Sequence, residues 1–465
     1  MLDLDAATKI EVYVLVWAGL LLLALTRFGR TRHGSVGLPL ALLASYTSAH
    51  AGAIVHLVSG YDHNMSVYLR GWGYSRQTVA DGLEASCLAM LAATLGFAVV
   101  DATIKFRKSA AQLFQIEWLR KGSILLMLIG LGDFAVGTAL GRMGIVVPGL
   151  QATQSTIQNL FVVGVCVFVL HRYLTDGQYK ALILSGVLAL TVPAILLVTT
   201  AILADSIVLA MVVMTFYLAL PSPGANTFRR NLTVLGLSTA FAVIFAVFYL
   251  QAREALRDVV WGGGGIGQAI EDVVSSAERF NVRTVVNTDS LLLLDARLNQ
   301  NIFVGLAIEQ LHSMPDTYEN GATIELALFA WVPRFLWADK PTRGGSKFLA
   351  KHTGLEFSEG TTFGAGPIYE FYVNYGYFGV FFGFLALGAL VRRLDVAAYR
   401  ALATADLARF AQYHLAGISL LSPLADVFFL VTALVTALLV GWGLRFVWKQ
   451  PARRPKSFHR TQARL

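Results

Sequence analysis

A cluster of basic side chains lies late in the sequence, within "PRFLWADKPTRGGSKFLAKH". Its guanidinium groups can each bind two phosphate oxygens, and its neighbouring glycines let backbone N–H groups approach an anion. The cluster therefore predicts binding of phosphate or pyrophosphate, and contact with lipid headgroups is the alternative use of the same charges. Its basic members are Arg334, Lys340, Arg343, Lys347, Lys351 and His352, against Asp339 as the one acid.

A carboxylate, Glu370, follows this basic cluster within "GPIYEFYVNYGYFG", among aromatic residues typical of a membrane interface. A charge is unfavourable in such surroundings unless it is paired or used in chemistry. Glu370 is therefore a candidate general base, and a salt bridge to the basic cluster is the alternative role. Further candidate proton acceptors are Glu325, His312 and His352.

The elements that must position these groups are apolar. The chain has 465 residues, of which 56% are hydrophobic and 14% charged, whereas a soluble domain carries about 25% charged residues. Several apolar stretches reach the roughly 20 residues that a membrane-spanning helix needs, so we predict an all-α polytopic membrane protein of about eleven spans. The predicted spans lie near 10–26, 36–58, 78–100, 122–141, 156–171, 180–197, 203–220, 231–250, 367–391, 408–422 and 426–447.

Basic residues set the predicted orientation, because cytoplasmic loops favour Lys and Arg. The basic groups after every odd-numbered span fall on one side with this count, which makes the N-terminus periplasmic and the C-terminus cytoplasmic. The net charge of +8 is explained by these loops and does not point to a nucleic-acid partner. The predicted units are a bundle of about eight spans over 1–250, a large periplasmic loop with amphipathic and interfacial helices over 251–366, about three spans over 367–448 and a basic cytoplasmic tail over 449–465.

Two further sets of polar residues bear on function. The large loop contains "NTDSLLLLDARLNQNIFVGLAIEQLHSMP", whose spacing predicts one long amphipathic helix carrying Arg297. Within the spans, ionisable residues such as Glu84 and Asp133 lie toward the outer side. Because charges in lipid normally face a cavity or a partner, this drift predicts a water-filled cavity open to the outside, with hydrogen bonds between helices as the alternative.

The segments "YENGATIELALFAWVPRFLWADKP" and "GPIYEFYVNYGYFG" resemble the Wzy-type polymerases of bacterial O-antigen and exopolysaccharide repeat units. In that family an apolar run leads to a P-R-x-x-W-x-x-K-P core, followed by G-x-x-x-E-x-x-x-N-[FY]-G-x-x-G at the start of a helix. The upstream "DARLNQ" also fits an arginine that the family often carries. The close match covers residues 318 to 379. The matching residues are Pro333, Arg334, Trp337, Lys340 and Pro341, then Gly366, Glu370, Asn374, Tyr375, Gly376 and Gly379.

This resemblance implies a GT-C-like membrane glycosyltransferase that joins repeat units on undecaprenyl pyrophosphate at the outer face of the inner membrane. The partners implied are the lipid-linked glycan and the lipid bilayer, with a flippase and a chain-length regulator beside them, and no metal or cofactor. We expect cations to neutralise the leaving pyrophosphate and a carboxylate to activate the acceptor hydroxyl. Pyrophosphate binding is assigned to Arg334, Lys340, Arg343, Arg297 and Arg283, catalysis to Glu370 and Arg334, and acceptor-side or cavity roles to Glu325, His312, His352, Asp133 and Glu84.

Three other functions fit parts of the sequence. An O-antigen ligase has the same architecture. A transporter of glycan lipid or small solutes would also carry intramembrane charges, although no internal repeat is evident. A membrane protease of the exosortase type would need Cys166 near His171 and Arg172 at the outer face, whereas the predicted topology puts the latter two at the cytoplasmic end. Cys87 and Cys166 both lie in apolar runs, which predicts neither a disulfide framework nor a zinc site.

Overall fold

The computed structural model shows an all-helical chain. It describes residues 5–28, 34–58, 61, 75–104, 116–143, 150–177, 179–188, 191, 204–220, 227–262, 265–332, 337, 345–357, 364 and 366–448. Within these ranges every regular element is a helix. Seven of the helices are long and apolar enough to cross a membrane, and an eighth span results if one bent helix pair is counted as a single crossing.

The helices vary from short connectors to elements much longer than a bilayer is thick. In chain order they are α1 (Ala6–Phe28), α2 (Leu38–His50), α3 (Arg76–Thr103), α4 (Ile116–Arg142), α5 (Leu150–Gln158), α6 (Leu160–Asp176), α7 (Tyr179–Leu188), α8 (Ala204–Ala219), α9 (Thr227–Trp261), α10 (Ile266–Arg279), α11 (Thr288–Leu298), α12 (Asn301–Ser313), α13 (Ala322–Leu328), α14 (Ser346–Thr353), α15 (Gly366–Ala403), α16 (Leu407–Ile418) and α17 (Val427–Val447). Short 3-10 helices cover Ala51–Leu57, Val282–Val286 and Pro315–Thr317.

Not every predicted span has a full-length counterpart. Among the described residues, α8 and α16 are shorter than a bilayer-crossing helix, and most of 189–203 lies outside the described ranges. The helix α15 is long but kinked: Tyr375 leaves the helical conformation and Gly376 has a φ of 59°, a value that favours glycine. The number of eleven spans therefore stays a prediction.

Helices α1, α3 and α15 run parallel and define the two ends of the molecule. At one end Lys9 of α1 contacts Asp81 of α3 at 3.3 Å, and we call this the Lys9 end. At the other, Asp101 of α3 accepts hydrogen bonds from Arg27 of α1 and Arg392 of α15, and we call this the Arg27 end. About 20 residues of helix separate the two layers, which corresponds to about 30 Å. This distance matches the apolar thickness of a bilayer.

The Arg27 end contains a buried ionic network. Arg392 is fully buried and binds Asp101 at 2.7 Å and Asp395, its neighbour one turn on. Asp395 in turn accepts hydrogen bonds from the backbone N–H groups of Val36 and Leu38 at the start of α2. The negative carboxylate therefore compensates unpaired N–H groups at a helix N-terminus. These contacts fix α2 and α15 to each other at this end.

The predicted long helix of the large loop is two helices. Helix α11 ends at Leu298 and α12 begins at Asn301, with a bend of 61° between them. The bend is formed because Gln300 donates its backbone N–H to the carbonyl of Ala49 at 2.9 Å, outside its own helix. Helix α12 is largely buried, and it packs closely on α3 through Gly82 and Gly305. Part of the predicted loop is thus inserted among the spans.

Candidate active site

Two sequence segments about 50 residues apart form one hydrogen-bonded unit at the Lys9 end. Asn374 of α15 accepts a hydrogen bond from the backbone N–H of Gly321 at 2.9 Å and donates to the hydroxyl of Thr323 at 2.7 Å. The backbone N–H of Glu319 donates to the carbonyl of Val373 at 2.9 Å. Gly321 has a φ of 91°, which suits the turn that starts α13. These contacts join the two halves of the motif that the sequence singles out.

Glu370 lies on the first turns of α15, where it is buried at 3% exposure. Its Oε2 accepts a hydrogen bond of 2.6 Å from the backbone N–H of Val427, the first residue of α17. Asp426, directly before that helix, accepts a second N–H from Phe429 at 2.7 Å. Two carboxylates thus stabilise the positive N-terminal end of α17. Glu370 therefore has a structural role at the start of α17.

Glu319 links the first motif half to α14. Its Oε1 lies 2.5 Å from Nζ of Lys351 and 3.0 Å from Nε2 of His352. Burial raises the pKa of Glu319, but the hydrogen bonds from Lys351 and His352 outweigh it, so the pKa lies below its usual value. Burial also lowers the pKa of His352, against the opposite effect of Glu319. Near neutral pH the result is a carboxylate held by one charged and one neutral partner.

Helix α12 connects α14, which carries the partners of Glu319, to α3. At its C-terminal end Glu309 accepts a hydrogen bond of 2.7 Å from the hydroxyl of Thr78 in α3. One residue further, Gln310 donates to the backbone carbonyl of Lys351 in α14 at 2.9 Å. His312 follows on the same helix and is exposed. Helices α3, α12, α14 and α15 therefore meet around the motif.

A second group consists of arginines on α9 and α11. Gln251 of α9 and Ser290 of α11 are hydrogen-bonded at 3.3 Å, and two turns further along each helix come Arg257 and Arg297. The charges of Arg253 and Arg297 both act on the guanidinium of Arg257. An anionic ligand can offset repulsion of this kind. We call Arg253, Arg257 and Arg297 the arginine cluster.

Only Arg297 of the arginine cluster was identified from the sequence. Arg253 and Arg257 are spaced four residues apart in "REALR", which places them on one face of a helix. This spacing could have identified them as a basic pair. The sequence interpretation assigned these residues to the start of a loop, whereas α9 continues to Trp261. Both arginines therefore lie on one face of a helix and not in a loop.

The remaining predicted residues occupy different places. Glu325 on α13 is exposed close to the motif, whereas Arg283 is exposed in the 3-10 helix that precedes α11. Glu84 is half-buried on α3 beside Tyr13 of α1. Asp133 of α4 faces Gln158 of α5. The predicted residues Arg334, Lys340 and Arg343 lie outside the described residues.

Comparisons with protein-family models, with curated proteins and with solved structures find no match for this chain.

Proposed function

We propose that this protein is a membrane glycosyltransferase of the Wzy type. It would polymerise undecaprenyl-pyrophosphate-linked oligosaccharide units into O-antigen, capsule or exopolysaccharide, at the outer face of a bacterial inner membrane. The observation that carries the proposal is the hydrogen-bonded unit formed by Glu319, Gly321 and Thr323 with Val373 and Asn374. The two segments that resemble the family are thus combined into one site, as shared chemistry would require.

The arginine cluster supplies positive charge for the leaving group. When the bond between the anomeric carbon and the pyrophosphate breaks, negative charge develops on the phosphate oxygens. Arg297, Arg257 and Arg253 would neutralise it, and Arg334, Lys340 and Arg343 are proposed to act with them. Guanidinium groups suit this role because they bind two oxygens at once and stay charged.

A carboxylate would accept the proton of the attacking sugar hydroxyl. Glu370 is the first choice, because it lies in the matched motif beside the joined segments. Glu325 is the second, because it is exposed on α13. His352 is fully buried against Glu319, and it is proposed to support the site rather than contact the sugar.

The polyprenyl tail would approach from the side. The end of α13 and the residues that follow it expose Leu328, Phe329 and Trp331. The carbonyl of Ala330 lies 3.3 Å from the hydroxyl of Thr432 in α17. This apolar surface is therefore attached to the helix whose first turn is capped by Glu370. A lipid tail held there would place its pyrophosphate near the same depth. In this arrangement the Lys9 end faces the periplasm, and a complete count of about eleven spans brings the C-terminus to the cytoplasm.

The decisive experiment is extension of a lipid-pyrophosphate oligosaccharide by the purified protein. Wild type should give a ladder of products, and Arg297→Ala should shorten it strongly. Arg172→Ala is the matched control, because Arg172 pairs with Asp176 at the end of α6, away from the motif. Failure of wild type to extend its cognate substrate would reject the proposal. Cells that lack the gene separate it from ligase activity: single-unit products indicate a lost polymerase, and long lipid-linked polymer indicates a lost ligase.

A second candidate function, transport of a glycan lipid or small solute, is favoured by the 61° break between α11 and α12. Discontinuous helices carry the substrate sites of many transporters. Product analysis separates the two functions. A transporter moves its substrate unchanged, whereas a polymerase lengthens it.

A further inference from the structure

A chain of buried hydrogen bonds crosses the break between α11 and α12. Asn301 donates from Nδ2 to the carbonyl of His50 and to Oδ1 of Asn299, both at 2.8 Å. Asn299 then donates from Nδ2 to Oδ1 of Asp295 at 2.6 Å. These four residues are at most 2% exposed. The chain therefore connects the backbone of α2 to a carboxylate on the last turn of α11.

The direction of this chain is fixed at one end. A backbone carbonyl can only accept a hydrogen bond, so the carbonyl of His50 determines which way the Asn301 amide points. Its Oδ1 must then accept, and it does so from the hydroxyl of Ser86 at 2.8 Å, with Nδ1 of His50 at 2.9 Å. Asn299 takes the same orientation in turn, because its Oδ1 accepts from Asn301. The group at position 295 must therefore accept a hydrogen bond on the side of Asn299.

The second carboxylate oxygen of Asp295 also has defined partners. Its Oδ2 accepts the hydroxyl of Tyr61 at 2.8 Å and lies 3.2 Å from Nε2 of His56. His56, Tyr61 and Asp295 are buried to 2% exposure or less. A buried carboxylate with partners on both oxygens cannot rotate without losing them. The last turn of α11 is thus held at Asp295 and, one turn later, at Asn299.

Arg297 lies between these two anchors and is exposed on the opposite side of the turn. Successive helical residues are about 100° apart, so a residue two positions after Asp295 points away from the buried side. The anchors therefore set the direction in which Arg297 projects. Without them, the end of a helix interrupted by a 61° bend would be free to fray or turn.

We propose that Asp295 and Asn299 are positioning residues for the arginine cluster, and that the buried chain prearranges Arg297 for an anionic pyrophosphate group. This inference rests on the proposed function. It adds that pyrophosphate affinity depends on groups that never touch the ligand. A displacement of about 1 Å at such a site lowers binding or rate by up to about a hundredfold.

A charge transposition tests this proposal. Asn299→Asp places two carboxylates at the 2.6 Å contact and should displace the turn. Adding Asp295→Asn restores a donor and an acceptor at that contact. The amide at position 295 keeps an oxygen toward the Tyr61 hydroxyl, and its NH₂ group donates to the carboxylate at position 299. Binding of inorganic pyrophosphate to the purified protein is measured by calorimetry. We expect about a tenfold or greater loss for Asn299→Asp and recovery toward wild type in the double variant.

A milder variant guards against a failure to fold. Tyr61→Phe removes one hydrogen bond to Asp295 and keeps the ring, so the protein should stay folded while its pyrophosphate affinity falls severalfold. Ser45→Ala is the control, because the Ser45 hydroxyl bonds only to Leu42 within α2, and it should bind like wild type. If wild type binds pyrophosphate and both Tyr61→Phe and Asn299→Asp bind equally well, the positioning role is wrong. If wild type itself binds none, the proposed anion site fails and the inference falls with it.

Discussion

Glu370 illustrates how one side chain can combine a structural role with a chemical one. Its carboxylate caps α17 through Val427, and it is also the proposed base. Gln at this position keeps an oxygen that accepts the Val427 N–H but cannot take up a proton. Ala loses both. The two variants therefore separate the contributions.

We expect Glu370→Gln to keep the thermal stability of the wild type while polymer formation falls by about a hundredfold or more. Glu370→Ala should lose the same activity and also about 1 kcal/mol of stability, because the first turn of α17 loses a cap. Polymer ladders and thermal unfolding in detergent measure the two effects. Normal ladders from Glu370→Gln would restrict Glu370 to the cap.

The pair of Glu319 and His352 predicts that stability falls with acidity. The lowered pKa of Glu319 means that its stabilising contribution is complete above its usual pKa of 4.5 and is lost as pH falls through the lower, folded value. His352 also has a lowered pKa, so below its usual value of 6.5 the unfolded chain takes up the proton first and unfolding is favoured. Both effects have the same sign, and that of His352 begins at the higher pH.

Replacing His352 isolates its part of this pH dependence. His352→Gln cannot take up the proton, so its melting temperature should fall less between pH 7 and pH 5 than that of the wild type. His312→Gln is the control, since His312 is exposed at the end of α12, and its curve should follow the wild type. An equal fall in all three proteins would show that His352 does not contribute.

At the residue scale Glu370 and Asn374 could be singled out together, because both belong to one short pattern in α15. The catalytic role of Glu370 stays a prediction. Glu319 was not predicted, although it is central to the unit. Its partners Lys351 and His352 come more than 30 residues later, and a sequence alone gives no sign that they meet. The same is true of Asp295 and His56, whose pairing depends on how α11 is inserted.

At the element scale, the close approach of α3 and α12 depends on two glycines. A Cβ on Gly305 of α12 would lie 1.9 Å from the carbonyl oxygen of Thr78, and one on Gly82 of α3 would lie 1.9 Å from that of Asn301. Backbone atoms cannot move aside as a flexible side chain can. We therefore expect Gly305→Ala to destabilise the protein by about 3 kcal/mol or more.

Gly443→Ala provides the matched control for this test. It lies within α17 with open space around its Cβ position, so alanine should stabilise the helix by up to about 1 kcal/mol. Thermal unfolding of the three proteins in detergent measures the difference. A Gly305→Ala protein as stable as the wild type would mean that α3 and α12 are not packed as closely as described.

The break at residues 299 and 300 shows what helical spacing leaves undetermined. Apolar residues recur at helical intervals through "LLLLDARLNQNIFVGLAIEQL", without proline, so the local pattern favours one helix. The break is caused by distant groups, chiefly the carbonyl groups of Ala49 and His50. Tertiary contacts thus overrode local propensity. The last turns of α9, which continue to Trp261, were predicted to be a loop because they are polar.

The two polar layers organise the molecule as a whole. The apolar stretches predicted a helical membrane protein, and the described residues contain seven helices fit to cross a bilayer. The basic residues were assigned to loops by counting charges, and Arg27 and Arg392 do lie at one common end. Counting could not show that Arg392 is fully buried in an ionic network. Asp395 lies one turn away on the same helix, whereas Asp101 reaches Arg392 only because α3 and α15 pack in parallel.

This arrangement predicts that the two ends face opposite sides of the membrane. Asp316, after α12, is exposed at the Lys9 end, and Thr404, after α15, is exposed at the Arg27 end. In intact cells whose outer membrane is made permeable, a membrane-impermeant maleimide should label Asp316→Cys but not Thr404→Cys. After lysis it should label both. The wild type is the background, because Cys87 and Cys166 are buried. Labelling of both variants from one side would contradict the arrangement. Labelling of Thr404→Cys alone would place the Lys9 end, with Glu370, in the cytoplasm, where a periplasmic polymerase could not use it.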